Sequence, residues 1–431
     1  MSKLQQSVLA IVFIVCLSLV SPSATCAKEK TVVDFWWGGI ANYTENMMQL
    51  VQDFNEQNTS VEVRMTVQPH IGMSGVGIET LKTAIAGGAQ PDVVVLDGTI
   101  LIGLAIEDGL FMDLREIIDP SFLYAIPYAA NIKNYVMFRD SVYGIHFQTD
   151  ARGLYFNQTH FAEVGLDPRK GPKSIDELDQ YAAKLTRRDA QGRIERQGYS
   201  PRGGNFGLEL GWFWVFGGNV FDYNTMLPTF TNNEAHLAAL RWIESYADKY
   251  STAAITSAGN NFMAGKVSMS VQSTSLLGTL PVQAPDMEWW VSTIPYPPEG
   301  RLITMSSGYS AVVPKGAKNA VAAAEFIRYL IDKNTQMNWY RMTKTVPTRV
   351  DAILELVQKR EITDPRAICM IELMPTAAEI YPPLFVNYVL PQLSNYINQM
   401  WNKQIPPAEV LEKVQFAVEP EYRRIFHGKA F

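Results

Sequence analysis

The stretch Leu81–Gly98, LKTAIAGGAQPDVVVLDG, decides the fold class. Apolar residues at helical spacing lead to Gly87-Gly88, where a left-handed C-cap would end a helix. After a proline, the run Val93–Leu96 is short, apolar and mostly β-branched, which is typical of a strand buried on both faces of a parallel sheet. Asp97 ends the strand. It either caps the next helix or stands beyond the carboxyl end of the strand, where ligands collect in open α/β sheets.

The same alternation extends to both sides of this stretch. Strand patterns at 31–37 and 61–65 alternate with helical patterns at 43–55 and 100–107, so the opening third reads β-α-β-α-β-α. That order requires right-handed crossovers and a parallel sheet with helices on both faces. We therefore expect an α/β protein.

The length of the chain indicates its domain organisation, and its charge limits the classes of binding partner. The chain has 431 residues, of which 47% are hydrophobic and 19% charged, which is enough for two domains with large cores. Its formal net charge of −6 argues against nucleic acid and against an anionic membrane surface as partners.

The first 27 residues have the pattern of a secretory signal peptide. Lys3 precedes the apolar run Val8–Val20, and small residues follow as far as Ala27. We expect cleavage after Ala27 and export across the inner membrane to the periplasm. An uncleaved anchor is one alternative, and lipoprotein anchoring through Cys26 is another. After cleavage at Ala27 only Cys369 remains, so no disulfide within the chain is expected.

The sequence lacks the motifs of common catalytic and metal sites. Its five histidines show no metal-ligand spacing, and it has no GxSxG motif, no Walker A motif and no GxGxxG that opens a helix after a strand. We therefore expect no metal, no cofactor and no catalytic residue. A secreted glycosidase stays open as an alternative, because acidic pairs occur in any chain of this size.

Aromatic residues are abundant, with 9 Trp, 19 Tyr and 20 Phe. Aromatic rings stack on the C–H faces of sugars, and polar side chains bind hydroxyl groups, so this composition favours a saccharide or polyol over a phosphate. The densest cluster is WFWVFGG at 212–218. It is either a packed helix of a second core or part of a pocket, where the glycines let backbone approach another group.

Seven further segments carry a resemblance to a known family. They are Phe35–Trp37, Leu50–Asn55, Ala86–Val93, Tyr143–Phe147, Gly153–Asn157, Phe262–Met269 and Ala322–Ile327. In this order the chain resembles the extracellular solute-binding proteins of ABC importers, in the cluster that includes the maltose-binding and glycerol-3-phosphate-binding proteins. The segments extend over nearly all of the chain that follows the signal peptide.

The resemblance implies a two-lobed periplasmic-binding-protein fold of the type II-like kind, in which each lobe is a mostly parallel sheet flanked by helices. The N-terminal lobe would comprise residues 28–145 and 308–346, and the C-terminal lobe residues 146–307 and 347–431. The chain would cross between the lobes around 143–148, 306–310 and 346–349. Ligand would lie in the cleft between the lobes, which close over it by a hinge motion.

By position, the resemblance also implies the ligand-binding residues. They are Trp36, Trp37, Gly38, Asp97, Tyr143, His146, Trp212, Trp214, Gly217, Gly218, Gly308, Tyr309 and Arg349. The sequence departs from the family pattern at Ile145-His146, where a proline commonly stands. A second departure is the bare backbone at Gly38-Gly39, which suggests a ligand that lies close to it.

The implied function is transport without chemistry. A monomeric protein would bind a sugar or sugar-like polyol and deliver it to the transmembrane subunits of an ABC permease. Arg152, Arg202 and Arg349 could instead serve a phosphate or carboxylate, which makes a glycerol-phosphate-type ligand the alternative. A carbohydrate-active enzyme and a sensory receptor subunit of the same fold are further alternatives.

Overall fold

The structure, a computed structural model, describes residues 29–72, 75–129, 132–205, 209–377, 382 and 384–428. The expected signal peptide, with Cys26 and the cleavage site after Ala27, lies outside these residues. Within the described residues, none of the helices combines the length and the apolar composition that a membrane span needs.

Two sheets and their covering helices make up an α/β fold, as expected. The strands of the two sheets are β1 (Thr31–Trp37), β2 (Val61–Val67), β3 (Val93–Asp97), β4 (Ile145–Thr149), β5 (Arg152–Asn157), β6 (Met269–Ser273), β7 (Trp289–Ser292) and β8 (Gly308–Val312). The α-helices are α1 (Thr44–Gln57), α2 (Val76–Ala86), α3 (Gly98–Ile106), α4 (Pro120–Tyr124), α5 (Gln158–Glu163), α6 (Ile175–Leu185), α7 (Leu210–Val215), α8 (Glu234–Tyr250), α9 (Gly259–Met263), α10 (Ser275–Gln283), α11 (Ala320–Leu330), α12 (Lys333–Thr343), α13 (Val350–Gln358), α14 (Pro365–Leu373), α15 (Leu390–Trp401) and α16 (Pro407–Phe426). Three short ribbons pair Met137–Phe138 with Ser141–Val142, Arg187–Arg188 with Ile194–Arg196, and Phe221–Asp222 with Leu227–Pro228.

A five-stranded sheet in the order β2-β1-β3-β8-β4 organises the first lobe. Because β1 runs parallel to β2 and to β3, the alternating order predicted for the opening third is confirmed. The helix before β3 ends at Ala86, and Gly88 has a φ of 67°, as the Gly-Gly signal indicated. β8 comes from much later in the chain and enters antiparallel between β3 and β4.

The second lobe contains a three-stranded sheet in the order β6-β5-β7. Both outer strands run antiparallel to β5, so this sheet differs from the mostly parallel one expected for the lobe. β6, α10 and β7 do follow one another as a parallel β-α-β unit would. β5 lies between the two strands, however, and runs in the opposite direction, so they never pair with each other.

Strands of the two sheets are joined directly at two neighbouring places, and a third passage follows α12, because Trp339 packs in the first core and Val346 packs with Tyr155 of the second sheet. Only Asp150 and Ala151 separate β4 from β5, and residues 293–307 lead back from β7 to β8. The first crossing lies just after the expected range 143–148, because residues 145–149 pair with β8 as a strand of the first sheet. The limits of the two lobes stay predictions, and these strand memberships refine them.

Each lobe has an apolar core of its own. In the first lobe, Phe35 of β1 and Phe54 of α1 pack on Phe326 of α11, with ring centroids 5.1 and 5.2 Å apart. The core of the second lobe combines α7 and α8 with α15 and α16. Two separate apolar cores therefore lie on either side of the crossings.

Candidate functional site

A cavity of about 220 Å³ lies where the two sheets meet beside the crossings. It is lined by Ile40, Tyr43, His70, Asp97, Gln148, Asp150, Arg152, Asn205, Ser273, Ser275, Ser307, Gly308 and Tyr309. The first lobe contributes residues that follow β1 and β2 and residues at the ends of β3 and β4. The cavity therefore opens at the carboxyl edge of the parallel strands, where α/β sheets bind ligands.

Two tyrosines form the aromatic part of the first-lobe wall. The hydroxyl of Tyr309 accepts a hydrogen bond from the backbone N–H of Ile40 at 3.0 Å. Its ring lies 5.6 Å from that of Trp37 and 6.5 Å from that of Tyr43. Burial raises the pKa of both Tyr43 and Tyr309, so both hydroxyls stay protonated at neutral pH. Each of these hydroxyls remains a possible donor to a polar group in the cavity.

Asp97 both caps a helix and lies at the cavity, which are the two alternatives that the sequence left open. Its carboxylate caps α3 by accepting hydrogen bonds from the N–H of Thr99 at 2.9 Å and from the Thr99 hydroxyl at 2.7 Å. The same side chain lines the cavity, and burial raises the pKa of its carboxyl group. His70 lies beside it, with its ring 6.3 Å from that of Tyr309, and its Nε2 is buried without a hydrogen-bond partner.

A buried ion pair lies between the two crossings. The guanidinium of Arg152, which is 7% exposed, donates to the carboxylate of Asp150, which is 8% exposed. Arg152 also donates to the hydroxyl of Ser307 at 2.9 Å, and the N–H of Ser307 donates to Asp150 at 2.7 Å. Asp150 belongs to one crossing and Ser307 to the other, so this network ties the two passages together.

A second cavity of about 410 Å³ continues the first. It shares Tyr43 and Ser275 with the first cavity, and its other lining residues are Asn42, Asn46, Gly278, Thr279, Val282, Gln283, Met342, Thr343 and Lys344. Because they share these two residues the cavities adjoin, and together they are called the cleft below. The first cavity alone is smaller than the usual ligand pocket of about 300–1,000 Å³, but the whole cleft falls within that range.

Three of the expected ligand-binding residues line the cleft, namely Asp97, Gly308 and Tyr309. Gly308 has a φ of 144°, and a Cβ at this position would stand 1.8 Å from the carbonyl oxygen of Gln148. Only glycine therefore fits where β8 begins beside β4. Contact of these three residues with a ligand stays a prediction.

The aromatic cluster of α7 lies in the core of the second lobe and not on the cleft. Trp212 and Trp214 are 1% and 3% exposed, and the ring of Trp212 lies 4.6 Å from that of Trp242 in α8. A Cβ on Gly217 would come within 3.0 Å of a backbone carbonyl, and one on Gly218 within 2.3 Å of an imidazole ring. Packing thus accounts for both the rings and the glycines. These four residues do not line the first cavity, and their contact with a ligand stays a prediction.

Trp36, Trp37 and Gly38 lie behind the cleft wall. Trp37 is fully buried, and its Nε1 donates to the hydroxyl of Thr44 at 3.1 Å. A Cβ on Gly38 would stand 2.5 Å from the side chain of Ile71. Trp36 is half-buried against a second apolar cluster of the first lobe. These residues support the wall and do not line the first cavity, and their expected contact with a ligand stays a prediction.

Tyr143, His146 and Arg349 also lie outside the lining. His146 is fully buried, and its Nδ1 lies 2.9 Å from the hydroxyl of Ser310. Burial lowers the pKa of His146 to about 3, so its imidazole is neutral at pH 7. Tyr143 precedes β4, at the end of that strand away from the cavity. Core packing rather than cleft position accounts for Tyr143 and His146.

The three arginines that could bind an anion are already engaged. Arg152 belongs to the buried network described above. Arg202 lies 3.0 Å from the carboxylate of Glu209, and Arg349 binds both carboxylate oxygens of Asp351 at 2.9 and 2.6 Å. Neither Arg202 nor Arg349 lines the first cavity.

Sequence reasoning missed most of the cleft. In the first cavity, the lining residues that were not proposed are Ile40, Tyr43, His70, Gln148, Asp150, Asn205, Ser273, Ser275 and Ser307. Several of them follow a strand by only a few residues. That position in the sequence is the one feature from which they could have been predicted. Arg152 was considered only as a partner for an anion.

Comparison with known proteins identifies the family. A family model described as bacterial extracellular solute-binding protein matches residues 40–337. The sn-glycerol-3-phosphate-binding periplasmic protein of Shigella dysenteriae is 23% identical over 344 residues, which cover 74% of this chain and 75% of that protein. The multiple sugar-binding protein of Streptococcus mutans is 24% identical over 169 residues, or 38% of this chain and 36% of that protein.

Solved structures share the fold. The mannotriose-bound protein CpMnBP1 has a TM-score of 0.76 and 24% identity, covering 90% of this chain and 100% of that one. The GacH receptor of Streptomyces glaucescens has a TM-score of 0.76 and 19% identity, covering 94% of this chain and 100% of that one. The expected resemblance is thereby confirmed, and because the family model matches more than half of its length, the chain belongs to the bacterial extracellular solute-binding protein family.

Proposed function

We propose that this protein binds a neutral sugar or sugar-like polyol in the cleft between its lobes, as the substrate-binding component of an ABC importer. The observation that carries the proposal is the chemistry of the lining. Both lobes contribute hydroxyl and amide groups, and two tyrosines stand at the wall. Sugars present many hydroxyl groups and apolar C–H faces, which such a surface satisfies.

The mechanism is a shift between an open and a closed arrangement of the lobes. A ligand that touches both walls stabilises the closed arrangement by the contacts it makes only there. The passages at 150–151 and 293–307 are where the backbone would absorb the motion. The closed protein then presents the unaltered solute to the membrane permease outside the inner membrane.

Relatives and structural neighbours support a carbohydrate. CpMnBP1 is bound to mannotriose, and the GacH receptor was studied in complex with acarbose. The multiple sugar-binding protein of Streptococcus mutans is a relative by sequence. These proteins share the fold or part of the sequence, and we extend their ligand class to this chain as part of the proposal.

A glycerol-phosphate ligand is the second candidate, and similarity to the glycerol-3-phosphate-binding protein favours it. The cleft argues against it. Arg152 is the arginine of the first cavity, and Asp150 already neutralises it. Asp97 adds a carboxyl group to the same lining, and such a group offers a phosphate no positive charge.

A thermal-shift screen tests the proposal. The probes are mannobiose, mannotriose, maltotriose, tagatose and glycerol 3-phosphate. A ligand at 100 times its Kd stabilises the folded state by about 2.7 kcal/mol and therefore raises Tm. We expect at least one neutral sugar to raise Tm and glycerol 3-phosphate to leave it unchanged. A rise with glycerol 3-phosphate alone would favour the second candidate.

Incubation with the same oligosaccharides separates binding from catalysis. Two carboxylates line the first cavity, and each has a structural task. Asp97 caps α3, and Asp150 pairs with Arg152. We expect chromatography to recover every oligosaccharide intact, and accumulation of shorter products would establish a carbohydrate-active enzyme.

A further inference from the structure

Two side chains of the first cavity carry buried polar atoms without a hydrogen-bond partner. They are the Oε1 of Gln148 and the Nε2 of His70. Gln148 is only 4% exposed and lies in β4, two residues before Asp150. A buried polar atom left unpaired destabilises a fold, so such atoms are rare in native proteins. Two of them in one cavity indicate a place where a ligand supplies the partners.

We propose that Gln148 and His70 determine specificity by forming hydrogen bonds with two hydroxyl groups of one neutral sugar ring. Gln148 Oε1 accepts a hydrogen bond from the first hydroxyl. His70 Nε2 pairs with the second, as donor or acceptor according to its tautomer, because a hydroxyl can do both. The inference rests on the proposed function and names the groups of the cleft that select the ligand.

The backbone holds both side chains in place. The carbonyl of Gln148 packs so closely on Gly308 that no Cβ fits there, which fixes this part of β4 against β8. The ring of His70 packs on Gly72, where a Cβ would stand 2.2 Å from the imidazole, and its edge faces Tyr309. Both groups are thus positioned from the first lobe before a ligand arrives, which lowers the entropic cost of binding.

Local charge makes this end of the cleft selective for a neutral ring. Asp97, Asp150 and Arg152 line the cavity together with Gln148 and His70. Arg152 compensates for Asp150, whereas Asp97 is satisfied by the neutral donors of Thr99. An anionic group beside Gln148 and His70 would therefore find no free guanidinium, because Asp150 already engages Arg152.

Gln148→Leu and His70→Phe test the proposal, with Gln90→Leu as the matched control. Gln90 also carries a buried Oε1 without a partner, but it does not line the cavity. Leucine removes the unpaired oxygen at either glutamine, so neither Gln→Leu change should lower Tm in the absence of ligand. Titration calorimetry with mannobiose, mannotriose, maltotriose and tagatose then measures affinity for each variant.

For any of these sugars that the wild-type protein binds, we expect Gln148→Leu and His70→Phe each to weaken affinity at least tenfold. Gln90→Leu should leave affinity within twofold of wild type. Unchanged affinity in both cleft variants would overturn the inference and leave the proposed function standing. Binding of none of the four sugars by the wild-type protein would overturn both.

Discussion

Replacing Arg152 with methionine is expected to destabilise the folded protein by about 3–5 kcal/mol, the usual cost of breaking a buried ion pair by removing one partner. Arg152 and Asp150 are 7% and 8% exposed, so the remaining carboxylate would stay buried without its counter-charge. Asp150 would keep only its contacts with Ser307. The guanidinium's hydrogen bond to the carbonyl of Asn205, at 3.2 Å, would be lost as well.

Urea unfolding at pH 7 and low salt measures this loss. Arg64→Met is the matched control, because Arg64 and Glu62 form an ion pair whose side chains are 63% and 40% exposed, and removing it should cost at most about 1 kcal/mol. Asp150→Asn combined with Arg152→Met should recover part of the stability, since no charge then remains buried. If Arg152→Met is no more destabilising than Arg64→Met, the pair does not tie the crossings as described.

Three further predictions address the cores and the cleft. Trp214→Ala should lower the free energy of unfolding by about 3–5 kcal/mol because it leaves a cavity in the core, and calorimetry should show little change in sugar affinity. A loss of affinity without a loss of stability would show that the ring contacts the ligand. Acidification should destabilise the wild type more than His146→Gln. His146 has a pKa of about 3 in the folded protein and about 6.5 in the unfolded chain, so between these values only the unfolded state gains the proton. The free energy of unfolding therefore falls as the pH falls, by up to about 1.4 kcal/mol per pH unit towards pH 4. Urea unfolding at each pH measures this, and an equal fall in wild type and His146→Gln would refute it. Gly308→Ala should lower Tm, because its Cβ would stand 1.8 Å from the carbonyl oxygen of Gln148. An unchanged Tm would show that the backbone at this crossing can shift without loss of stability.

Sequence pattern predicts the first lobe well because its signals are local. The helix C-cap at Gly87-Gly88 and the apolar run Val93–Leu96 each specify their structure within a few residues. The second sheet is different, because its central strand Arg152–Asn157 pairs with strands more than 100 residues later, and only tertiary packing decides that they run antiparallel. Likewise, nothing local shows that Gly308–Val312 inserts between strands of the first lobe.

The site was predicted less completely than the fold. Composition draws attention to large rings, yet Trp212 and Trp214 fill a core, and aromatic density alone cannot tell a core from a pocket. Asp97 was proposed because it ends a strand at the expected edge of the sheet, and Tyr309 because it lies near an expected crossing; both line the first cavity. Ser273 and Asn205 belong to the facing wall, which forms only when the second lobe packs opposite the first, and serines and asparagines are too common for their types to mark it.

A crystal structure with the neutral sugar that raises Tm most would test the central claim most directly. We predict one intact sugar in the cleft, in contact with residues of both lobes. Gln148 and His70 should form hydrogen bonds with its hydroxyl groups. A sugar bound elsewhere, or one held by a single lobe while the cleft stays empty, would contradict it.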